Sequence, residues 1–353
     1  MSRFFSNKFN SLEAYTPGEQ PQDKSYIKLN TNESPFPPSP AVIEAVSGEV
    51  GRLQLYSDPE CKLLVNKFAE VYGIKPEQVV MTNGSDEALY FSFLAFSDAE
   101  RPIVFPDITY GFYPVFAKLI GIPFEEIPLS DDLSVRVEDY VGIGKNIVLA
   151  NPNAPTGKCL SLADIERIVA SNPDNVVIID EAYVDFGGES AVSLIEKYNN
   201  LIVTGTFSKS RSLAGARLGF AISNKEIVKD LNTVRFSTNP YNINRMTMAA
   251  GYAALSENSY YMDNCRTIIE NREYTAEALR RLGFEVVPSS ANFLFVKSRE
   301  VSGERLYRDL KAMGILVRHF SGERIREYNR ITVGTREQMD ALIYAVKLIL
   351  KRI

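Results

Sequence analysis

The nine residues NVVIIDEAY at 175–183, an apolar run ending in two acids, decide the fold. Four consecutive β-branched residues without alternation read as a strand buried on both faces, the kind found inside a parallel sheet. Four other runs share this texture: VVMT at 79–82, PIVF at 102–105, NIVLA at 146–150 and LIVTGTF at 201–207. Amphipathic segments lie between them. One carries Leu64, Phe68 and Val71, another Ile165, Ile168 and Val169 after Asp164, each spaced to bury one helical stripe. This alternation predicts an α/β fold, a mostly parallel sheet with helices on both faces.

The texture changes near residue 255. A long charged helix over roughly 259–282, the short strands NFLFV, GILVRHF and NRITVG, and an amphipathic helix from Glu337 onward predict a smaller α+β unit. The organisation expected is an N-terminal arm over 1–33 that packs on the small domain, a large domain over 34–255 and a small domain over 256–353. Within the arm, Tyr15-Thr16-Pro17-Gly18 reads as a turn and IKLN as a short extended piece before the Pro-rich SPFPPSP.

Composition excludes several classes of function. Lys and Arg total 39 against 44 acids, a net charge of −5 that lacks the basic surplus of a nucleic-acid binder. The cysteines Cys61, Cys159 and Cys265 are far apart and His319 is the one histidine, so no metal cluster is expected. The same scarcity disfavours a His-based nucleophilic triad. With no apolar stretch of signal or membrane-span length, the expected location is cytoplasmic, with no membrane partner. Two nucleotide motifs also fail. Pro155-Thr156-Gly157-Lys158 ends like a phosphate loop, but Pro152 replaces its leading glycine and Cys159 its hydroxyl; Gly142-Ile143-Gly144 has Ile147 where a dinucleotide fingerprint needs glycine.

The remaining signals stand at strand ends, where open α/β sheets place ligands. Thr82-Asn83-Gly84-Ser85-Asp86-Glu87 follows a strand and opens a helix; it reads either as a phosphate-holding amide cluster or as an ordinary capped helix start. Asp180 ends the most apolar strand and needs a cationic partner, either a protonated heterocyclic nitrogen or an arginine. Lys209 closes LIVTGTFSK, where desolvation favours an amine nucleophile that forms a Schiff base with an aldehyde cofactor. Thr206, Ser208 and Arg217 around it suit a phosphate ester.

In order, LNTNESP, YSDPE, TNGSDEA, TYGFYPV, NPNAPTG, DEAY, TFSK, LAGARLGF, NFLF and NRITVGTRE resemble the fold-type-I pyridoxal-phosphate aminotransferases across about residues 12–345, and among these most of all the histidinol-phosphate aminotransferase family. The resemblance implies pyridoxal 5′-phosphate as cofactor and a homodimer. It implies that Lys209 carries the cofactor and shuttles the substrate proton, that the Asp180 carboxylate keeps the pyridine nitrogen protonated, and that Tyr183 meets the ring's phenolic oxygen. Tyr110 would stack on the ring; for both tyrosines a plain core or surface role is the alternative. The phosphate would lie among the amides of Ser85 and Asp86, the hydroxyls of Thr206 and Ser208, the guanidinium of Arg217, and Tyr56 from a second subunit. Where the family has a second asparagine in NPNNPTG this chain has Ala154; Asn153 is the candidate replacement, although neighbours on an extended chain face opposite sides.

For substrate, Arg330 resembles the arginine that takes an α-carboxylate, while Tyr15 and Arg318 match positions that meet a substrate phosphate; surface or interdomain ion pairs are the alternative for both arginines. Asn32 lies in the substrate-facing segment. The implied reaction is L-histidinol phosphate plus 2-oxoglutarate to imidazole-acetol phosphate plus L-glutamate, in histidine biosynthesis. Aromatic amino-acid aminotransferases and threonine-phosphate decarboxylases share nearly all these motifs. A non-catalytic regulatory domain of the same fold is disfavoured by intact Lys209 and Asp180, and by the roughly 30 residues that precede the fold here.

Overall fold

The computed structural model describes residues 2–9, 12–23 and 25–352. After a short strand β1 (Ile27–Lys28), the chain builds β2 (Val79–Thr82), β3 (Ile103–Pro106), β4 (Phe124–Ile127), β5 (Asn146–Ala150), β6 (Val177–Asp180), β7 (Leu201–Thr206) and β8 (Gly219–Ile222). These seven later strands form one sheet in the order β2-β8-β7-β6-β5-β3-β4, parallel throughout except for β8, which runs antiparallel to both neighbours.

The unalternating runs behave as their composition dictates. Val177, Ile179, Leu201 and Val203 face one core and Ile178 and Ile202 the other, so the central strands are dry on both sides. Helices cover the two faces. Lys62–Tyr72 buries Leu64 and Phe68, and Leu162–Ser171 buries Ile165, Ile168 and Val169 behind Ser161, whose hydroxyl accepts from the Asp164 amide. Two strands escape the pattern reading. β4 is an edge strand whose Glu125 and Glu126 are exposed, and β8 is a four-residue run opened by glycine.

Beyond the long helix Asn258–Arg281, the strands β9 (Phe284–Val287), β10 (Phe293–Ser298), β11 (Ile315–Leu316), β12 (Arg318–His319) and β13 (Tyr328–Thr332) complete the list. β12-β13-β10-β9 form an antiparallel sheet packed in a separate core against Asn258–Arg281 and Arg336–Leu350, the latter opened by a Thr335/Gln338 capping box. Two elements here were not anticipated: β9, and the helix Gly303–Ala312 capped by Ser302. The arm joins this unit, with β1 pairing in parallel with β11 and Leu29 buried in its core. Among the described residues, no helix is long and apolar enough to cross a membrane.

Candidate active site

Asp180 ends β6 and Lys209 lies three residues past β7, so both stand at the carboxyl edge of the large sheet. Asp180 is buried at 4% exposure, with the Tyr113 hydroxyl donating to its Oδ2 at 2.9 Å and Thr204 Oγ1 at 3.5 Å from Oδ1. No cation pairs with it among the described residues, and burial pushes its carboxyl up from 3.8 to about 6. Tyr113 was missed in the sequence because nothing marks it apart from the aromatic residues around it. Its own burial beside Asp180 raises its phenol well above the ordinary value, so it stays a donor.

The helix Ser85–Phe96 begins at Gly84, at φ 78° with no side-chain cap, and its first two residues, Ser85 and Asp86, line a cleft. Space at this corner is tight. A Cβ on Gly84 would meet Arg217 Nη2 at 2.5 Å, and one on Gly219 would meet the Gly84 carbonyl carbon at 2.3 Å and the Ser85 nitrogen at 2.4 Å. Arg217 itself adopts a left-handed φ of 56°, and its Nη2 donates to Asp86 at 3.1 Å. Tyr110 donates to the other Asp86 oxygen at 2.8 Å; Thr206 and Ser208 hydroxyls bond each other at 2.9 Å.

A cleft of about 450 Å³ collects Ser85, Asp86, Asp180, Thr206, Ser208 and Arg217. A second cleft, of about 540 Å³, is lined by Tyr15, Asn32, Arg318 and Arg330. Lys209, Tyr110, Tyr183 and Ala154 line both. The two spaces therefore meet at Lys209, whose Nζ lies 5.8 Å from the Tyr183 ring centre and donates to the Thr31 carbonyl at 3.3 Å.

In the second cleft, Arg318 and Arg330 are directly opposed cross-strand partners on β12 and β13. Like charges in this position repel. Arg318 donates to the carbonyls of Thr16 and Pro17, both at 3.3 Å, and Arg330 to that of Asn30 at 3.0 Å, while Arg330 Nε is buried without a partner. Burial holds the Arg330 guanidinium below its ordinary value. Neither arginine is ion-paired to an acid among the described residues, an arrangement that calls for an anionic ligand. Tyr15 stacks on Phe112 at 4.2 Å at the rim.

Asn153 and Tyr56 line neither cleft of this chain, as expected for a Tyr56 that reaches in from a second subunit. For Asn153 this departs from expectation: its Oδ1 accepts from Thr109 at 2.7 Å, and its Nδ2 donates to the Ile108 carbonyl and Thr156, both at 3.0 Å. Ala154, at the start of the turn over 154–156, lines both clefts instead. Tyr56 is 80% exposed, stacked on Tyr241 at 4.5 Å, and lines neither cleft of its own chain.

These residues fit pyridoxal phosphate. The buried Asp180 lacks the cation that a protonated pyridine nitrogen would supply, and the Gly84–Gly219 corner leaves uncapped amides beside Arg217 for a phosphate. Among the described residues no cluster of His, Cys, Asp or Glu is placed to hold a metal ion.

Comparison with known proteins agrees with this geometry. The family model for aminotransferase class I and II matches residues 24–346. A histidinol-phosphate aminotransferase from Brachyspira hyodysenteriae is 47% identical over 99% of this chain and 100% of its own length. Another, from Marinomonas sp., is 48% identical over 98% of this chain and 99% of its own length. In fold, the chain matches the crystal structure of the Sinorhizobium meliloti histidinol-phosphate aminotransferase in complex with pyridoxal-5′-phosphate, with a TM-score of 0.89 at 23% identity over 100% of this chain and 99% of that one. On sequence, fold and the arrangement of its clefts, this chain belongs to the class I and II aminotransferases.

Proposed function

We propose that this chain is a cytoplasmic, pyridoxal-phosphate-dependent transaminase that exchanges an amino group between L-histidinol phosphate and 2-oxoglutarate in histidine biosynthesis. The observation that carries the reading is the opposed Arg318–Arg330 pair with no acid partner among the described residues, standing over a cleft that opens onto Lys209. The full-length relatives named for this activity support the choice of substrate.

When bound, pyridoxal phosphate supplies an aldehyde that condenses with amines and a ring that accepts the electron pair released at the substrate α-carbon. Lys209, at the junction of the clefts, would be the amine that meets the aldehyde and the base that moves the substrate α-proton. Asp180 holds a proton on the ring nitrogen, with Tyr113 fixing the carboxylate. The Ser85 and Asp86 amides, Thr206, Ser208 and Arg217 hold the phosphate ester, and Tyr110 flanks the ring. Arg330 takes the α-carboxylate of the amino-acid partner. Arg318 with Tyr15 takes the phosphate of histidinol phosphate, which has no carboxylate.

The direct test is the visible spectrum of the pyridoxal-phosphate-loaded protein before and after histidinol phosphate is added without keto acid. Loss of the cofactor's visible band with formation of imidazole-acetol phosphate is expected; an unmoved band would shift the substrate to an aromatic amino acid or phosphothreonine. Arg318→Ala should lower kcat/KM for histidinol phosphate by about 10- to 100-fold, the loss of one or two charge-assisted hydrogen bonds, while changing glutamate use far less. Equal loss for both substrates, read by steady-state kinetics, would remove the phosphate role.

The dimer belongs to the same proposal. Exposed Leu53, Leu55 and Leu63 lie near Tyr56 in the sequence, an apolar group suited to a second copy, from which Tyr56 would reach the phosphate. Co-expressed Lys209→Ala and Tyr56→Ala chains should regain activity at limiting cofactor, because one site of each mixed dimer is intact. No recovery above the Tyr56→Ala level would place Tyr56 in its own chain's site or in none.

A further inference from the structure

We propose that Asn32 is a positioning residue for Tyr183: its side-chain amide fixes the direction of the Tyr183 hydroxyl proton and supplies the hydrogen-bond control that Ala154 cannot. The proposal rests on the functional reading above. It gives Asn32 a role different from the substrate contact that its sequence segment implies.

Asn32 is 1% exposed and sits at a left-handed φ of 56°, a conformation asparagine tolerates better than most residues. Its amide is held at both ends. The Asn32 backbone N–H donates to Thr332 Oγ1 at 3.0 Å, and the Thr332 hydroxyl donates to Asn32 Oδ1 at 3.0 Å. Thr332 is itself buried, at 2% exposure. Turning the Asn32 amide over would leave the threonine proton with no acceptor there, which a buried site resists. Asn32 Nδ2 therefore faces the Tyr183 hydroxyl oxygen at 3.0 Å, and an amide nitrogen can only donate. The Asn32 carbonyl is also anchored, accepting from Asn292 Nδ2 at 3.0 Å.

With Asn32 donating to its oxygen, Tyr183 must point its own proton elsewhere. On one side its ring is closed by Phe293, edge-on at 5.1 Å. The open direction is the cleft, where Lys209 lies 5.8 Å from the ring centre. Tyr183 is thereby committed as a donor toward whatever acceptor occupies the cleft beside Lys209. In the proposed function that acceptor is the phenolic oxygen of the cofactor ring. The other titratable groups within electrostatic reach of Tyr183 are Arg330, Tyr15 and Tyr113, none of which hydrogen-bonds to it among the described contacts.

A donor committed to the phenolic oxygen favours its ionised form, so losing that commitment should raise the pH at which the bound cofactor's visible absorption changes. The test is a spectrophotometric pH titration of the pyridoxal-phosphate-loaded protein and of Asn32→Gly, since glycine accepts the left-handed backbone without adding charge. The midpoint should rise by about 0.5–1 pH unit, the worth of one hydrogen bond. In a Tyr183→Phe background the same substitution should move it no further, because the effect passes through the Tyr183 hydroxyl. Thr332→Val, which frees the Asn32 amide to turn, should shift the midpoint the same way and Thr332→Ser should restore it; this pair serves if Asn32→Gly does not fold. Unmoved midpoints in Asn32→Gly or Thr332→Val with intact visible bands would overturn the proposal, leaving a packing role. An equal rise in the Tyr183→Phe background would also overturn it. A parent protein that develops no visible band with pyridoxal phosphate would overturn the functional reading itself.

Discussion

Lys209→Ala is expected to purify without covalently bound cofactor and to transaminate at least about 10³-fold more slowly than the parent chain. The size follows from losing two functions at once, the amine that meets the aldehyde and the base that moves the α-proton, when base catalysis alone is worth about 10² to 10⁴. Folding should be spared. Among the described residues the Lys209 ammonium makes one hydrogen bond, to the Thr31 carbonyl at 3.3 Å, and stands 5.8 Å from the Tyr183 ring centre, so its removal should leave the sheet and both cores as they are. Absorbance after dialysis reads the first outcome and steady-state rates the second. Multiple turnover within tenfold of the parent would take Lys209 out of the reaction.

Asp180→Asn should pull activity and stability in opposite directions. Burial raises the Asp180 carboxyl from 3.8 to about 6, so in the cofactor-free protein the folded state binds this proton more tightly than the unfolded chain does. Between about pH 4 and 6 the fold therefore loses stability as pH rises, and by pH 7 the cost of the ionised group is fully present, at about 3 kcal/mol. Neighbouring Glu181, bonded by Ser190 and the Ala191 amide and pushed up by burial to about 8, carries the decline on toward pH 8. Asparagine keeps the shape and the Tyr113 bond but cannot ionise. The cofactor-free variant should melt higher at pH 7 and lose the part of the slope below pH 6, while activity falls by at least about 10²-fold as the ring nitrogen loses its counter-charge. Parallel melting curves from pH 4 to 8, or activity within tenfold, would each count against this assignment.

What the sequence made legible follows from how locally each feature is encoded. Strands buried on both faces announce themselves as unbroken β-branched runs, so all five of those predicted are found. β4 exposes two glutamates and β8 opens with glycine, and their pairing is decided by neighbours far along the chain, which no window of sequence contains. In the site, Asp180 and Lys209 were readable because a charge closing an apolar strand is costly and needs a reason. Asn153 carried no such signal. Whether its amide faces the cleft depends on Thr109, Ile108 and Thr156, and the structure turns it to them. The Asn32–Tyr183 contact joins residues 151 positions apart and the Tyr113–Asp180 contact residues 67 apart, the latter brought together across the sheet order β6-β5-β3.

The two arginines of the second cleft stand on a sheet packed in a different core from the one that carries Asp180 and Lys209. In the proposed function, reaction and clientele are thus written on separable pieces of the molecule. Laboratory evolution confined to Arg318 and Phe320, with Thr332 at the end of β13 left in place, should recruit new amine donors without disturbing Asp180 and Lys209. Drift along the same few positions offers a natural route by which one ancestral scaffold comes to serve several metabolic roles.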